Sequence, residues 1–153
     1  MPAQKLKSFL DEKGIKYVSI RHSPAFTAQE VAASAHVSGK EMAKAVIVKV
    51  GGKLAMAVLP SNRKVVLQDL RELTGSDQVS FATEEEFKSR FPDCETGAMP
   101  PFGSLYGMRT FVSAELAGHP GIAFNAGSHT EVIRMAYPDF QRLENPQVMD
   151  FTT

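Results

Sequence analysis

A chain of 153 residues with 43% hydrophobic and 22% charged residues has the composition of an ordinary globular domain, and can bury roughly two-thirds of its unfolded surface without metals or disulfides. Its 17 basic and 17 acidic residues leave no net charge, and the single cysteine, Cys94, excludes an intrachain disulfide or a cysteine-based zinc site. No apolar run reaches the length of a membrane span or a secretory h-region, so a cytoplasmic protein without a membrane partner is expected, ordered up to its tail.

In chain order, Leu6, Phe9 and Leu10 stand at helical spacing over residues 3–13 and the pattern stops before Gly14, which predicts a short amphipathic helix. Ile15 to Ile20 reads as a strand. Thr27-Ala28-Gln29-Glu30 has the capping-box pattern and predicts a helix to about His36. Ala45 to Val50 is apolar and β-branched, Gly51-Gly52 is a two-residue hairpin signal, and Leu54 to Leu59 supplies the return strand, so this hairpin is expected at the centre of a sheet. Val65 to Leu67 reads as a short strand before a helix carrying Leu70 and Leu73, and Gln78 to Phe81 as another strand. Thr83-Glu84-Glu85-Glu86 repeats the capping box and predicts a helix over 84–90 with Phe87 and Phe91 inward. Further strands are expected at Thr110 to Val112, Gly121 to Asn125 and Glu131 to Met135, and Pro138 opens a last helix through Leu143. Strands and helices mix without regular βαβ alternation. The expected fold is therefore α+β: one domain over residues 1–153, with a mixed, largely antiparallel, barrel-like sheet and flanking helices.

Charge is unevenly distributed along the chain. Residues 1–64 carry 11 Lys+Arg against 4 Asp+Glu, and residues 65–153 carry 6 against 13. A basic half can meet phosphates, while interleaving of the two halves would produce a mixed surface; Lys40, Lys44, Lys49, Lys53, Arg63 and Lys64 are the cations that decide between these.

Three segments are candidates for chemistry. Gly97-Ala98-Met99-Pro100-Pro101-Phe102-Gly103 has seven uncharged residues with two prolines and two glycines, and fits neither a helix interior nor a central strand. It reads as an ordered loop, either a stiff turn or a pocket wall, with Met99 and Phe102 as apolar contacts and the N–H groups of Gly97, Ala98, Met99, Phe102 and Gly103 as donors. Lys44 stands at the start of an apolar strand, where its stem can snorkel or its ammonium can face an anion. Asn125-Ala126-Gly127-Ser128-His129 follows a buried strand and is either a hairpin turn or a second site loop. The four histidines lack metal-ligand spacing, nothing local activates Cys94 as a nucleophile, and neither a Walker loop nor GxGxxG is present, so no metal and no cofactor is expected.

Taken together, Met42 to Val48 around Lys44, the Gly97 to Gly103 loop and Gly121 to His129 resemble the YbaK/ProX-type aminoacyl-tRNA deacylases. These are stand-alone relatives of the editing domain inserted in bacterial prolyl-tRNA synthetases. The similarity includes His22-Ser23-Pro24-Ala25-Phe26-Thr27 and the strand Glu131 to Met135, and runs over essentially the whole chain. The family has a lysine at the position of Lys44 and a GxxxPxG loop that Gly97, Pro101 and Gly103 match in register. The resemblance implies metal-independent trans-editing, in which the ester joining a wrong small amino acid to the tRNA 3′ ribose is hydrolysed without a covalent nucleophile and with help from a ribose hydroxyl. Lys44 would then fix the terminal nucleotide or neutralise the oxyanion, and Gly97, Ala98, Met99, Pro100, Pro101, Phe102 and Gly103 would line the substrate. Asn125, Gly127, Ser128 and His129 would form the far wall. The expected partners are the acceptor end of an aminoacyl-tRNA and an aminoacyl-tRNA synthetase. A non-catalytic binding module of the same fold, docked to a synthetase or holding a small ligand, is the competing reading. The edited amino acid, the tRNA and the oligomeric state are left open by the sequence.

Overall fold

The structure is a computed structural model, and it describes residues 4–22, 38 and 40–153. The helix expected over residues 27–36 lies outside the described residues.

Helix α1 (Gln4–Glu12) buries Leu6 and Leu10, one turn apart, and closes with the Ile15 amide on the Leu10 carbonyl at 3.0 Å. Strand β1 (Tyr17–Arg21) follows. Strands β2 (Met42–Val50) and β3 (Lys53–Pro60) form the expected hairpin across Gly51 and Gly52, whose φ values of 59° and 84° are those a type I′ turn requires. Then come α2 (Leu67–Thr74), β4 (Val79–Phe81), and α3 (Glu84–Phe87), which tightens into a 3-10 turn over Lys88–Arg90. The capping box at Thr83 forms as the sequence predicts, with the Thr83 amide on Glu86 at 2.9 Å and the Glu86 amide on the Thr83 hydroxyl at 3.3 Å. After a second 3-10 turn (Gly103–Tyr106) the chain makes β5 (Arg109–Ser113), α4 (Ala114–Ala117), β6 (Gly121–Asn125), β7 (Glu131–Ala136), α5 (Tyr137–Glu144) and β8 (Gln147–Met149). Pro138 sits in the first turn of α5, where its missing N–H costs nothing.

All eight strands join one sheet in the order β1-β7-β6-β2-β3-β5-β8, with β4 also paired to β2. The hairpin is central, as its composition indicates. The sheet is mixed: β2/β3, β2/β4, β1/β7 and β6/β7 are antiparallel, while β2/β6, β3/β5 and β5/β8 are parallel. It does not close, which departs from the barrel-like expectation. Val18 on β1 and Val148 on β8 remain 59% and 44% exposed at its two ends. Closure is unnecessary because both faces already carry a core. Alternation along β3 sends Met56 and Val58 into one cluster with Phe102, Phe124 and Phe140, and Ala55, Ala57 and Leu59 into the other with Leu70, Phe111 and Phe151. That division explains why Leu54 to Leu59 is a continuous apolar run.

The tail is ordered, contrary to expectation. Beyond β8, Phe151 is fully buried and its carbonyl accepts the Val66 amide at 2.7 Å, while Lys64 and Thr153 exchange two backbone bonds of 3.0 Å. Val65, read as part of a strand, makes only an isolated bridge to Thr152.

The charge asymmetry does not survive folding as a basic face. Strands from the two halves interleave in the sheet, mostly two by two, and ion pairs cross between them: Lys7 to Glu131 at 2.9 Å, Lys49 to Glu86 at 2.7 Å, Arg63 to Glu115 at 3.1 Å and Arg134 to Glu41 at 3.1 Å. Glu131, 3% exposed, also accepts the Ser19 hydroxyl and ties β7 to β1 and α1. Of the six cations singled out, Lys49 and Arg63 are paired, while among the described residues Lys40, Lys44, Lys53 and Lys64 have no ion pair.

Candidate active site

The site begins at a fork in the sheet. The edge of β2 facing away from β3 is shared by two strands: β6 pairs with Met42 and Ala43, and β4 with Val48 to Val50. No described strand occupies the interval between them. Lys44 lies in that interval, beside Leu59 on β3. It is half-buried, and among the described residues its ammonium makes no hydrogen bond or ion pair. Burial lowers its pKa below the ordinary lysine value, and the nearby Lys64 cation lowers it further.

Asn125 is the last residue of β6. The parallel register pairs Ala43 with Phe124, so Asn125 comes level with Lys44 and shares its face of the sheet. Its side chain is 6% exposed, yet the carboxamide oxygen has no hydrogen-bond partner among the described residues. A buried acceptor left open costs about 1–3 kcal/mol, so the Asn125 oxygen is available to a donor brought by a ligand.

The Gly97 to Gly103 loop is fastened to the turn that follows Asn125. Residues 95–98 form a β-turn closed by the Ala98 amide on the Glu95 carbonyl at 3.0 Å, with Gly97 at φ +85° in the position that needs glycine. This turn docks on Gly127 through the Gly127 amide to Ala98 carbonyl bond (2.9 Å) and the Glu95 amide to Gly127 carbonyl bond (2.7 Å). His129 completes the clasp: its amide donates to the Glu95 carboxylate at 3.1 Å and its Nε2 lies 3.0 Å from the Thr96 carbonyl. The Ser128 hydroxyl is 3.1 Å from that of Thr130 and accepts the Thr130 amide at 3.3 Å, which shapes the same turn. The structure thus brings Lys44 to Asn125, and the loop to Gly127 and His129.

Of the five loop amides expected to be donors, three are engaged internally: Gly97 with the Met99 sulfur, Ala98 with Glu95, and Gly103 with the Thr110 hydroxyl at 3.1 Å. The Met99 and Phe102 amides have no partner among the described residues. The Phe102 ring is spent on the core, fully buried with its centroid 5.2–6.2 Å from those of Phe9, Phe124 and Phe140.

The far end of the loop is held by Glu144, a residue that sequence reading did not single out. Only 8% exposed, its carboxylate accepts the Ser104 amide at 3.0 Å, the Ser104 hydroxyl at 2.5 Å and the Thr110 hydroxyl at 2.5 Å, and Thr110 in turn holds Gly103. Burial raises its pKa above the usual carboxylate value against the opposing pull of these hydrogen bonds. A signal was present, since an acid in the last residue of a helix opposes the macrodipole and needs another reason to be there. At Gly103 the reason for glycine is steric. A Cβ would lie 2.5 Å from the Thr110 hydroxyl and 3.0 Å from the Met108 carbonyl. Gly103→Ala is therefore expected to destabilise the protein by about 1–3 kcal/mol, read as a lower urea midpoint at unchanged slope.

Comparison with known proteins agrees with this architecture. The profile of the aminoacyl-tRNA editing domain matches residues 22–143, and the chain belongs to that family. Among individual relatives, the prolyl-tRNA editing protein ProX of Acetoanaerobium sticklandii is 24% identical over 140 residues, covering 88% of this chain and 85% of the relative. The multifunctional Ser/Thr-tRNA deacylase ProXp-y of Escherichia coli K12 is 25% identical over 154 residues, covering 97% and 91%. The fold is shared with a crystal structure of a candidate trans-editing enzyme for prolyl tRNA synthetase, at a TM-score of 0.83 and 20% identity over 99% of this chain and 96% of the other.

Proposed function

We propose that this editing domain acts in trans as an aminoacyl-tRNA deacylase, hydrolysing the ester between a mischarged small amino acid and the 3′-terminal ribose of tRNA. The observation that carries this reading is the pairing at the sheet fork of a half-buried lysine, without a counter-ion among the described residues, and a buried carboxamide with an open oxygen. An aminoacyl ester is already activated, so the site needs to orient a water and hold developing charge. Water adds to the ester carbonyl, the bond to the ribose oxygen breaks, and the proton passes to that oxygen, leaving free amino acid and tRNA. The Lys44 ammonium neutralises the tetrahedral oxyanion. Asn125 Oδ1 accepts from the substrate amino group or a ribose hydroxyl. Gly97 to Pro101 limit the side chain admitted, while Gly127, Ser128 and His129 keep that wall in place. The partners under this reading are the acceptor end of tRNA and a synthetase, in the cytoplasm.

The names of the relatives point to small substrates, and one methylene in an apolar pocket discriminates by only about 1–3 kcal/mol. The test is a deacylation panel of labelled Ala-, Ser-, Cys-, Thr- and Pro-tRNA. Release from one or more of the small aminoacyl esters is expected. No release from any of the five would overturn the reading in favour of a non-catalytic binding module.

A further inference from the structure

At the hairpin end of the sheet, a cleft of about 350 Å³ opens between the β2/β3 turn and the start of β5, lined by Lys53, Arg90, Gly107, Met108 and Arg109 among others. Three of its lining residues are cations and none is acidic. Elsewhere Lys7, Lys49, Arg63, Lys88, Arg134 and Arg142 each sit within 3.2 Å of a carboxylate oxygen. Among the described residues, Lys53, Arg90 and Arg109 have no such partner; Lys5, Lys13, Lys16 and Lys64 share that, so what sets the three apart is their convergence on one cleft.

Both arginines are nevertheless held in place. Arg109 donates to the Gln147 carboxamide at 2.9 Å and stacks over Phe111 at 4.7 Å, and Arg90 reaches the Tyr106 and Gly107 carbonyls at 3.5 Å each. Two guanidinium forks beside an exposed lysine and an exposed glycine backbone suit the tetrahedral oxygens of a phosphate.

The strand register gives the distance of this cleft from the fork. Lys53 and Leu59 lie on the same face of β3, and Leu59 pairs with Lys44. Six residues of strand separate them, about 20 Å at roughly 3.4 Å per residue. We propose that Lys53, Arg90 and Arg109 form a phosphodiester-binding cleft that grips the RNA backbone of the substrate about 20 Å from its aminoacylated end. The assignment rests on the aminoacyl-tRNA reading and extends it from the terminal ester to the body of the substrate.

The experiment measures binding of fluorescently labelled uncharged tRNA by anisotropy across a salt series. It compares the natural protein with a triple variant, Lys53→Gln, Arg90→Gln and Arg109→Gln, whose three sites are all exposed. A control of equal charge change replaces Lys13, Lys88 and Arg142 by Gln. The cleft variant is expected to bind at least about tenfold more weakly, with the slope of log K against log salt reduced by about 2 to 3, and the control to bind as the natural protein does. Equal weakening by both variants, or no change in the cleft variant, overturns the proposal. Inorganic phosphate that displaces tRNA at low millimolar concentration would also overturn it, because the cleft would then be a generic anion site. Deacylation by the natural protein is read separately. Its absence would sink the deacylase reading while tRNA binding still decides the cleft.

Discussion

Lys44→Ala is expected to lower the deacylation rate by about 10²- to 10³-fold, equivalent to some 2.7–4 kcal/mol of transition-state stabilisation, without disturbing the fold. The asymmetry follows from the site. The ammonium has no bond within the described structure, so its removal breaks nothing there, and relieving its desolvation and its repulsion from Lys64 slightly favours the folded state. Unchanged circular dichroism and an unchanged or raised melting temperature should accompany the loss of turnover. Retained turnover would remove Lys44 from the mechanism. The same electrostatics predict a pH effect. If the cation is required, activity falls as pH rises through the lowered Lys44 pKa. Lys64→Met removes the neighbouring positive charge, so the Lys44 pKa rises and the alkaline limb of kcat/KM moves to higher pH once uncatalysed ester hydrolysis is subtracted. A limb that stays fixed, or moves down, would contradict the coupling.

The second large effect belongs to Glu144. Glu144→Ala leaves the Ser104 amide and the Thr110 hydroxyl without their acceptor beside a buried cavity, and is expected to cost about 2–4 kcal/mol of stability. Glu144→Gln should fold nearly as well. One carboxamide oxygen can accept both the Ser104 amide and the Thr110 hydroxyl, and its NH2 can donate to a Ser104 hydroxyl that reorients. The pH dependence separates the two chemistries. Because the folded pKa of Glu144 lies above its unfolded value, its favourable contribution is complete below the unfolded pKa and is lost as pH rises through the folded one. The stability of the natural protein relative to Glu144→Gln should therefore decline from acid towards neutral pH in urea unfolding. A relative stability that instead grows with pH would show that the carboxylate is the preferred form, with its hydrogen bonds outweighing its burial.

The legible parts of this chain were those fixed by neighbours in sequence. The glycine pair at 51–52, the Thr83 capping box, Pro138, and the Leu6 and Leu10 spacing each act within a turn or two, and each formed where its local chemistry placed it. Strand pairing was less legible. Whether β5 runs parallel to β3 depends on what fills the space between Ala57 and Phe111, and no local pattern in Arg109 to Ser113 encodes it. The short strand β8 was overlooked because Val148 is exposed and the ordering of the segment comes from Phe151, a single aromatic that reads as a tail until Val66 and Leu70 are beside it. Within the site, Lys44, Asn125 and the glycine loop stood out by composition. Glu144 was marked among 17 acids only by its place at a helix C-terminus, and its role takes shape once Ser104 and Thr110 converge on it.

The fork in β2 has one more consequence. Met42 turns its carbonyl towards the β3 side, where it accepts the Ser61 amide, and Ile47 turns its carbonyl the other way, to the Ala82 amide. Backbone alternation then directs the N–H and C=O of Ala45 away from β3, into the interval where no described strand runs. That peptide rung, unclaimed among the described residues, lies next to Lys44 in sequence and offers a donor and an acceptor that no side-chain substitution can delete. Proline at position 45 is the one natural replacement that would silence the donor. Substitution of the surrounding side chains would thus change the shape and charge of the interval while leaving this donor and acceptor in place.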